Sequence, residues 1–273
     1  MIEMVKDITI GASKMGDPIK LKISEPPRIG ILGASGSGKS CLLLNMILLM
    51  ARELRDRVQF FAFDPKNSSL LPVKDRLVEI VSDPAQYVSK CQKLEQMLND
   101  RLAYMKRENL TKIPLLSDDY PLVIVIFEEL LSFLNNADLT KDQMTYLKSF
   151  MLTYMTRARA ANLGFILCSH TFSQTETISV AARSQLQQRF ILKTGVNELK
   201  LMAEGMDELC PAQLISADTP GIFYYSNGDY SVWTKGRTFF NEDDVYEQIA
   251  RSYSNDVRDI GLDWDVEKFN PFS

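Results

Sequence analysis

The sequence predicts an α/β fold built on a mainly parallel central sheet flanked by helices, with a β-hairpin at its N-terminus. Three observations predict it. Short apolar runs at 29–32, 58–63, 122–127, 163–168 and 190–192 have the length and composition of strands buried on both faces. Helical apolar spacing separates them, at 41–51, 84–109 and 140–161, the alternation that parallel βαβ units require. The composition agrees: 273 residues, 45% apolar and 24% charged, suit one large globular domain with a substantial core.

Taken in order, Ile8-Thr9-Ile10 and Ile19-Lys20-Leu21-Lys22-Ile23 alternate on either side of Met15-Gly16-Asp17-Pro18, which reads as a hairpin within a 1–27 extension. Pro26-Pro27 breaks the chain before the strand at 29–32. The body of the protein is expected over 28–240. The helix at 84–109 is carried by Val88, Leu94, Met97, Leu98, Leu102 and Met105, and the next by Met144, Leu147, Met151 and Met155. From Gly221 the pattern changes. Ile222 to Tyr225, a turn at Asn227-Gly228-Asp229, and Tyr230 to Trp233 read as a second hairpin. Residues 241–273 form the third region, a helix at 241–253 with Asn241 as N-cap, then an acidic tail. The tail carries Trp264, Phe269 and Phe272 and reads either as an arm docking on a neighbour or as a segment packed on its own domain or left disordered.

Composition also narrows the function. Thirty-one Lys and Arg against 35 Asp and Glu give a net charge of −4. A protein that coats nucleic acid is usually basic, so a broad electrostatic footprint is disfavoured, while a motor gripping DNA through a few loops is not. The four cysteines, Cys41, Cys91, Cys168 and Cys210, have no C-x-x-C spacing and read as reduced thiols of a cytoplasmic protein. No apolar stretch approaches the roughly 20 residues of a membrane span.

The most informative stretch is Gly33-Ala34-Ser35-Gly36-Ser37-Gly38-Lys39-Ser40, directly after the apolar run Ile29-Gly30-Ile31-Leu32. This is G-x-x-x-x-G-K-[ST] between a strand and a helix, the P-loop of nucleoside triphosphate binding. Its glycines let backbone N–H groups point at phosphate oxygens, and the helix opening near Lys39 adds its positive end. Lys39 reaches the β- and γ-phosphates, the Ser40 hydroxyl can ligate Mg²⁺, and Cys41 completes the binding segment. A second motif follows about 90 residues later, where Leu122–Phe127 ends in Glu128-Glu129. A buried strand that delivers paired acids supplies one carboxylate for Mg²⁺ (Glu128, where Asp is usual) and one to polarise the attacking water (Glu129).

Together these segments resemble the motor domain of the FtsK/SpoIIIE DNA translocases, within the FtsK–HerA group of ring ATPases, from about Ile10 to Tyr225. The resemblance runs through Met15-Gly16-Asp17-Pro18, the Gly-Ser-Gly-Lys-Ser core, and Phe63-Asp64-Pro65-Lys66 against the family's Ile-Asp-Pro-Lys. It continues through Leu94-Glu95-Gln96-Met97 with Arg101, Tyr104-Met105 and Arg107, then Ala158-Arg159-Ala160-Ala161, Leu167-Cys168-Ser169-His170 and Pro220-Gly221. It implies a RecA-like P-loop fold of the additional-strand type and an Mg²⁺/ATP-driven motor on double-stranded DNA, acting as a homo-oligomeric ring, a hexamer in this family. Lys39 and Ser40 would hold phosphate and Mg²⁺, and Glu129 would be the catalytic carboxylate. Arg159 would be an arginine finger reaching the next subunit's γ-phosphate. His170 stands where the family has a sensor Gln. Plainer roles compete: Arg159 can complement a helix C-terminus, Arg157 can take the finger's place, and His170 can be a satisfied buried histidine. Arg189 is a second trans candidate, weighed against a salt bridge at the surface. The polar segments 66–69 and 171–183 could touch DNA.

The chain ends near 273, so the resemblance implies a minimal motor without membrane or winged-helix modules, of the kind encoded by plasmids, conjugative elements or phages. Rival expectations are a genome-packaging or conjugative coupling ATPase, partnered by a capsid, a relaxase or a membrane-anchored protein, and a secretion-type ATPase that moves protein. A non-catalytic nucleotide-binding module is opposed by the intact Lys39 and Glu129.

Overall fold

A computed structural model describes residues 6–252; the expectations for 253–273, including the aromatic tail, lie outside the described residues. The chain folds as β1 (Lys6–Ala12), β2 (Pro18–Ile23), β3 (Arg28–Leu32), α1 (Lys39–Leu54), β4 (Val58–Phe63), β5 (Leu77–Val81), α2 (Pro84–Arg107) and β6 (Leu122–Phe127). It continues with α3 (Leu130–Leu134), α4 (Lys141–Arg157), β7 (Leu163–Ser169), α5 (Val180–Arg183), β8 (Gln188–Ile191), α6 (Val196–Ala203), β9 (Ile222–Asn227), β10 (Thr234–Arg237) and α7 (Asp243–Ser252).

The strands form one ten-stranded sheet in the order β2-β1-β10-β9-β8-β3-β7-β6-β4-β5. From β8 to β5 all pairings are parallel, and from β8 outward to β2 they are antiparallel. The N-terminal hairpin of β1 and β2 therefore continues the same sheet, joined edge to edge through β10. One feature of this order matters for the site. The P-loop strand β3 and the acid-bearing strand β6 are not neighbours; β7 lies between them and pairs with both.

The period-2 alternation of the strands divides the core. Phe60, Ala62, Ile124 and Ile126 face α1, with Leu42, Met46, Ile47 and Met50. Phe61, Phe63, Val123, Val125 and Phe127 face the other way, onto Tyr87, Cys91 and Leu94 of α2 and Leu147 and Met151 of α4. Beneath the C-terminal ends of β4 and β6, Phe63 and Phe127 stack with centroids 5.0 Å apart, and Phe133 of α3 packs 4.7 Å from Phe63. This aromatic plug fixes the point at which β6 releases its two acids. At the other end of the sheet the buried Arg101 of α2 donates to the carbonyls of Ala161, Asn162 and Pro121, tying α2 to the starts of β6 and β7.

Several elements differ from expectation in bounds or in existence. α4 ends at Arg157 and tightens into a 3₁₀ turn, Ala158–Ala161. It begins as a full capping box, with Thr140 and Gln143 exchanging hydrogen bonds. The second hairpin pairs Thr234–Arg237, not Tyr230–Trp233, with β9. Residues 229–233 fold locally instead, with Ser226 Oγ donating to Asp229 O and Trp233 Nε1 donating to Tyr230 O. Asn241 is not the N-cap of the last helix: α7 opens at Asp243, and the first helical N–H groups, those of Val245 and Tyr246, donate to Glu242 O. Edge strand β5 was not expected, since Glu79 interrupts its apolar run; in the fold Glu79 pairs with Lys90 of α2 at 2.5 Å. Among the described residues no helix is long and apolar enough to cross a membrane.

Candidate functional site: an anion cradle beside two buried acids

The cradle is built at the C-terminal edge of the parallel strands. β3 ends at Leu32, and the loop is held on both sides. Gly33 N–H donates to Ser169 O at the end of β7, and Ala34 N–H to Lys193 O just beyond β8. Gly36 and Gly38 have φ of +72° and +97°, where side chains are disfavoured. A β-carbon on Gly38 would also collide with the backbone nitrogen of Gly221, whose N–H donates to Ser37 O at 2.9 Å. α1 then opens at Lys39 with no acidic side chain in its first turn, leaving its positive end uncompensated.

Lys39 is buried and turned back on the loop, donating to Gly33 O at 2.6 Å and Ala34 O at 3.1 Å. Burial pushes its ammonium below the ordinary lysine range, against the raising effect of nearby Cys168, Glu129 and Glu128. Ser40 Oγ donates to Glu128 Oε1 at 3.2 Å. The Cys41 side chain turns away toward the C-terminal helix, with Sγ 3.1 Å from Phe239 O and 3.3 Å from Tyr246 Oη, so only its backbone is offered to the cradle.

The adjacent acids are driven in opposite directions. Burial raises the Glu128 carboxyl above its usual range, only partly offset by a hydrogen bond from Ser69. Burial would raise Glu129 too, but a hydrogen bond from His170, with the charges of His170, Lys66 and Lys39, holds it below that range. Such divergence between neighbouring carboxyls is the usual sign of separate roles. His170 connects the parts, with Nε2 2.8 Å from Glu129 Oε2 and Nδ1 2.9 Å from Gly33 O and 3.2 Å from Lys39 Nζ. Each ring nitrogen lies within hydrogen-bond reach of an oxygen acceptor. His170 can do this because β7, which it follows, lies between β3 and β6.

These groups close around a pocket of about 290 Å³ lined by residues 34–41, Lys66, Ser69, Glu128, Glu129 and His170. Glu128 Oε2, Glu129 Oε1 and Ser37 Oγ are buried there without hydrogen-bond partners. The combination fits an anion with a divalent cation: Lys39 and the start of α1 suit the anion, and Ser40 with the unpartnered Glu128 oxygen suits the cation. Among the described residues no group of three or more His, Cys, Asp or Glu side chains is arranged to hold a metal by itself.

The expected arginines fall elsewhere. Arg159 lies in the 3₁₀ turn before β7, at the opposite end of that strand from His170. Seven residues at about 3.3 Å each put the two roughly 20 Å apart. Arg159 is more than half exposed, pairs with Glu25 at 2.5 Å, and shares with Arg157 and Lys112 the lining of a second cavity of about 460 Å³. Arg189 lies in the core, with its ion pair reaching out to Glu204 at the surface. Its side chain is fully buried, donating to Leu186 O and Met202 O, pairing with Glu204 and lying 4.0 Å from the Tyr230 ring centroid. Lys66 and Ser69, expected on a DNA-facing loop, line the pocket instead. The sequence signal, Asp64-Pro65-Lys66, was visible, but not which way it faced.

The FtsK/SpoIIIE family profile matches residues 4–200. The DNA translocase FtsK of Staphylococcus aureus strain MW2 is 23% identical over 297 aligned residues, covering 96% of this chain and 35% of the relative. The DNA translocase FtsK of Streptococcus pyogenes serotype M1 is 22% identical, covering 89% and 31%. The chain thus spans about a third of the length of these relatives. Among solved structures, the pCW3 conjugation coupling protein TcpA, a monomer form with ATPγS, superposes with a TM-score of 0.73 at 15% identity, covering 92% of this chain and 70% of that one. The cytoplasmic domain of the Thermomonospora curvata type VII secretion ATPase EccC gives 0.71 at 16% identity, covering 90% and 31%. At such identities the likeness is one of fold.

Proposed function

The chain belongs to the FtsK/SpoIIIE family, and from that premise we propose that it is an ATPase motor that moves double-stranded DNA as a ring of identical subunits. The observation that carries the reading is the convergence of Lys39, Ser40, Glu128, Glu129 and His170 on one pocket, with the two carboxyls driven apart in acidity. ATP would lie with its β- and γ-phosphates against the N–H groups of Gly36 and of Gly38, Lys39 and Ser40 at the start of α1. Lys39 would exchange its loop carbonyls for phosphate oxygens. A Mg²⁺ ion held through Ser40 and Glu128 would neutralise charge on the phosphates. Glu129, kept ionised, would orient the attacking water and accept its proton as the water oxygen bonds to the γ-phosphorus and the bond to the β–γ bridging oxygen breaks. His170, in contact with the P-loop carbonyl, Lys39 and Glu129 together, would register whether the γ-phosphate is present.

The distance between Arg159 and its own P-loop supports a role in trans. A side chain roughly 20 Å from the pocket of its own subunit could complete only a neighbour's. Plasmid, conjugative or phage origin, a packaging or coupling role, and a relaxase, capsid or membrane-anchored partner all fit the same motor. The reading from a different class, a motor that moves protein, is favoured by the net charge of −4, which is poor for a broad DNA footprint.

One experiment separates these readings: steady-state ATP hydrolysis with and without duplex DNA across a salt series, with mass measurement in ATP. DNA translocation requires stimulation by duplex that falls steeply with salt, and a ring-sized assembly. Hydrolysis indifferent to DNA at every salt concentration would reject it in favour of the protein cargo.

A further inference from the structure

The loop after β4 has more internal support than a surface connection needs. β4 and β6 run parallel with Phe63 opposite Phe127, so Asp64 emerges beside Glu128, whose N–H donates to Phe63 O. Asp64 is completely buried, and its carboxylate accepts three backbone N–H groups: Lys66 at 3.2 Å, Ser68 at 3.1 Å and Leu70 at 3.3 Å. That fixes the loop from inside and directs two side chains at the acid pair. Ser69 hydrogen-bonds Glu128, and Lys66 Nζ stands 3.6 Å from Glu129 Oε2 across the pocket.

We propose that Lys66 is a second lysine ligand of the γ-phosphate, delivered by the Asp64-clamped loop into the pocket that Lys39 also lines. The inference rests on the ATPase reading above and extends it. Lys66 is half exposed and stands 3.6 Å from Glu129, so little of its fixed mounting goes into a tight contact. A triphosphate carries more charge than one carboxylate and presents it in the same small space. A flexible lysine stem needs only a short swing to exchange Glu129 for a terminal phosphate oxygen. The exchange also frees Glu129 from its ion pair with Lys66 when a water has to be oriented. DNA contact by the same loop would require Lys66 to point out of the pocket that it lines.

The test compares ADP and ATPγS binding, ATP turnover and duplex DNA binding for the full chain, its Lys66→Ala variant and its Lys66→Arg variant. The Lys66→Ala change should weaken ATPγS by roughly tenfold more than ADP, the loss expected for one charge-assisted hydrogen bond. It should lower kcat, leave DNA affinity and its salt slope unchanged, and be partly restored by arginine. Equal changes for ATPγS and ADP, or unchanged turnover, would overturn the inference. So would a salt slope on DNA reduced by about one with the nucleotide ratio intact, which would return Lys66 to the DNA. If the unaltered chain bound neither nucleotide, the ATPase reading would fall as well, which is a separate result.

Discussion

Glu129 is buried yet held below the ordinary carboxylate range, and His170 is the main reason. In the proposed mechanism Glu129 works as the carboxylate, so activity should persist down to low pH and fall as pH drops through its depressed value. His170→Ala removes the hydrogen bond and leaves burial to act, which raises the Glu129 carboxyl. The acid limb of the kcat–pH profile should therefore move to higher pH, and His170→Gln, which can still donate, should move it less. An unmoved limb in the alanine variant would remove His170 from this role. Glu129→Gln should keep nucleotide affinity and lose turnover by about 10²–10⁴-fold, the contribution of a positioned general base. Single-residue legibility was uneven. Lys39, Ser40, Glu128 and Glu129 declared themselves because their chemistry demands fixed spacing on a strand and a helix. Lys66 and Arg189 did not. Whether a polar side chain faces a pocket, solvent or core depends on neighbours distant in sequence, such as Glu204 and Met202 around Arg189.

At the scale of elements, the P-loop is as much a packing device as a ligand site. Gly38 has positive φ and no room for a β-carbon beside Gly221. Gly38→Ala should therefore abolish nucleotide binding while leaving the circular dichroism of the sheet intact; wild-type affinity would show that the loop can relax. The aromatic plug makes the complementary prediction. Phe133→Ala should destabilise the fold by about 3–5 kcal/mol in denaturant unfolding, and it removes the packing directly behind Glu129. The long, wholly apolar strands were legible because burial on both faces leaves no other reading. β5, α3, α5 and α6 were not, because each is short and takes its conformation from what it packs against. The second hairpin was misread because Tyr230 and Trp233 look like strand residues. In fact Trp233 Nε1 closes a local turn onto Tyr230 O, while the Tyr230 hydroxyl reaches back to donate to Leu186 O.

At the scale of the molecule, the nucleotide pocket and Arg159 occupy opposite ends of the parallel strands. This geometry makes a mixing experiment decisive. A subunit with Lys39→Ala keeps its Arg159, and a subunit with Arg159→Ala keeps its P-loop. Each alone should be inactive, and rings mixed from the two should recover hydrolysis above the sum of the separate variants. Mixtures no better than that sum would place the arginine's role within its own chain, or nowhere in catalysis. Glu25 adds a detail that sequence reading had no means of finding. Its pairing with Arg159 joins residues 134 positions apart, and the proposed trans role would require that pairing to be given up.

β7 therefore has two addresses. Its last residue leads into the histidine that touches P-loop, lysine and base, and its first follows the turn that carries the outward-facing arginine. It is hydrogen-bonded along both edges, between β3 and β6, and buried throughout. In the ring proposed above, such a strand would act as a push-rod. Phosphate loss felt at one end would be transmitted through a stiff seven-residue bar to the turn that carries Arg159. The order in which subunits fire would then be set by the stiffness of one strand, and softening that strand would leave each pocket competent while the ring lost its rhythm.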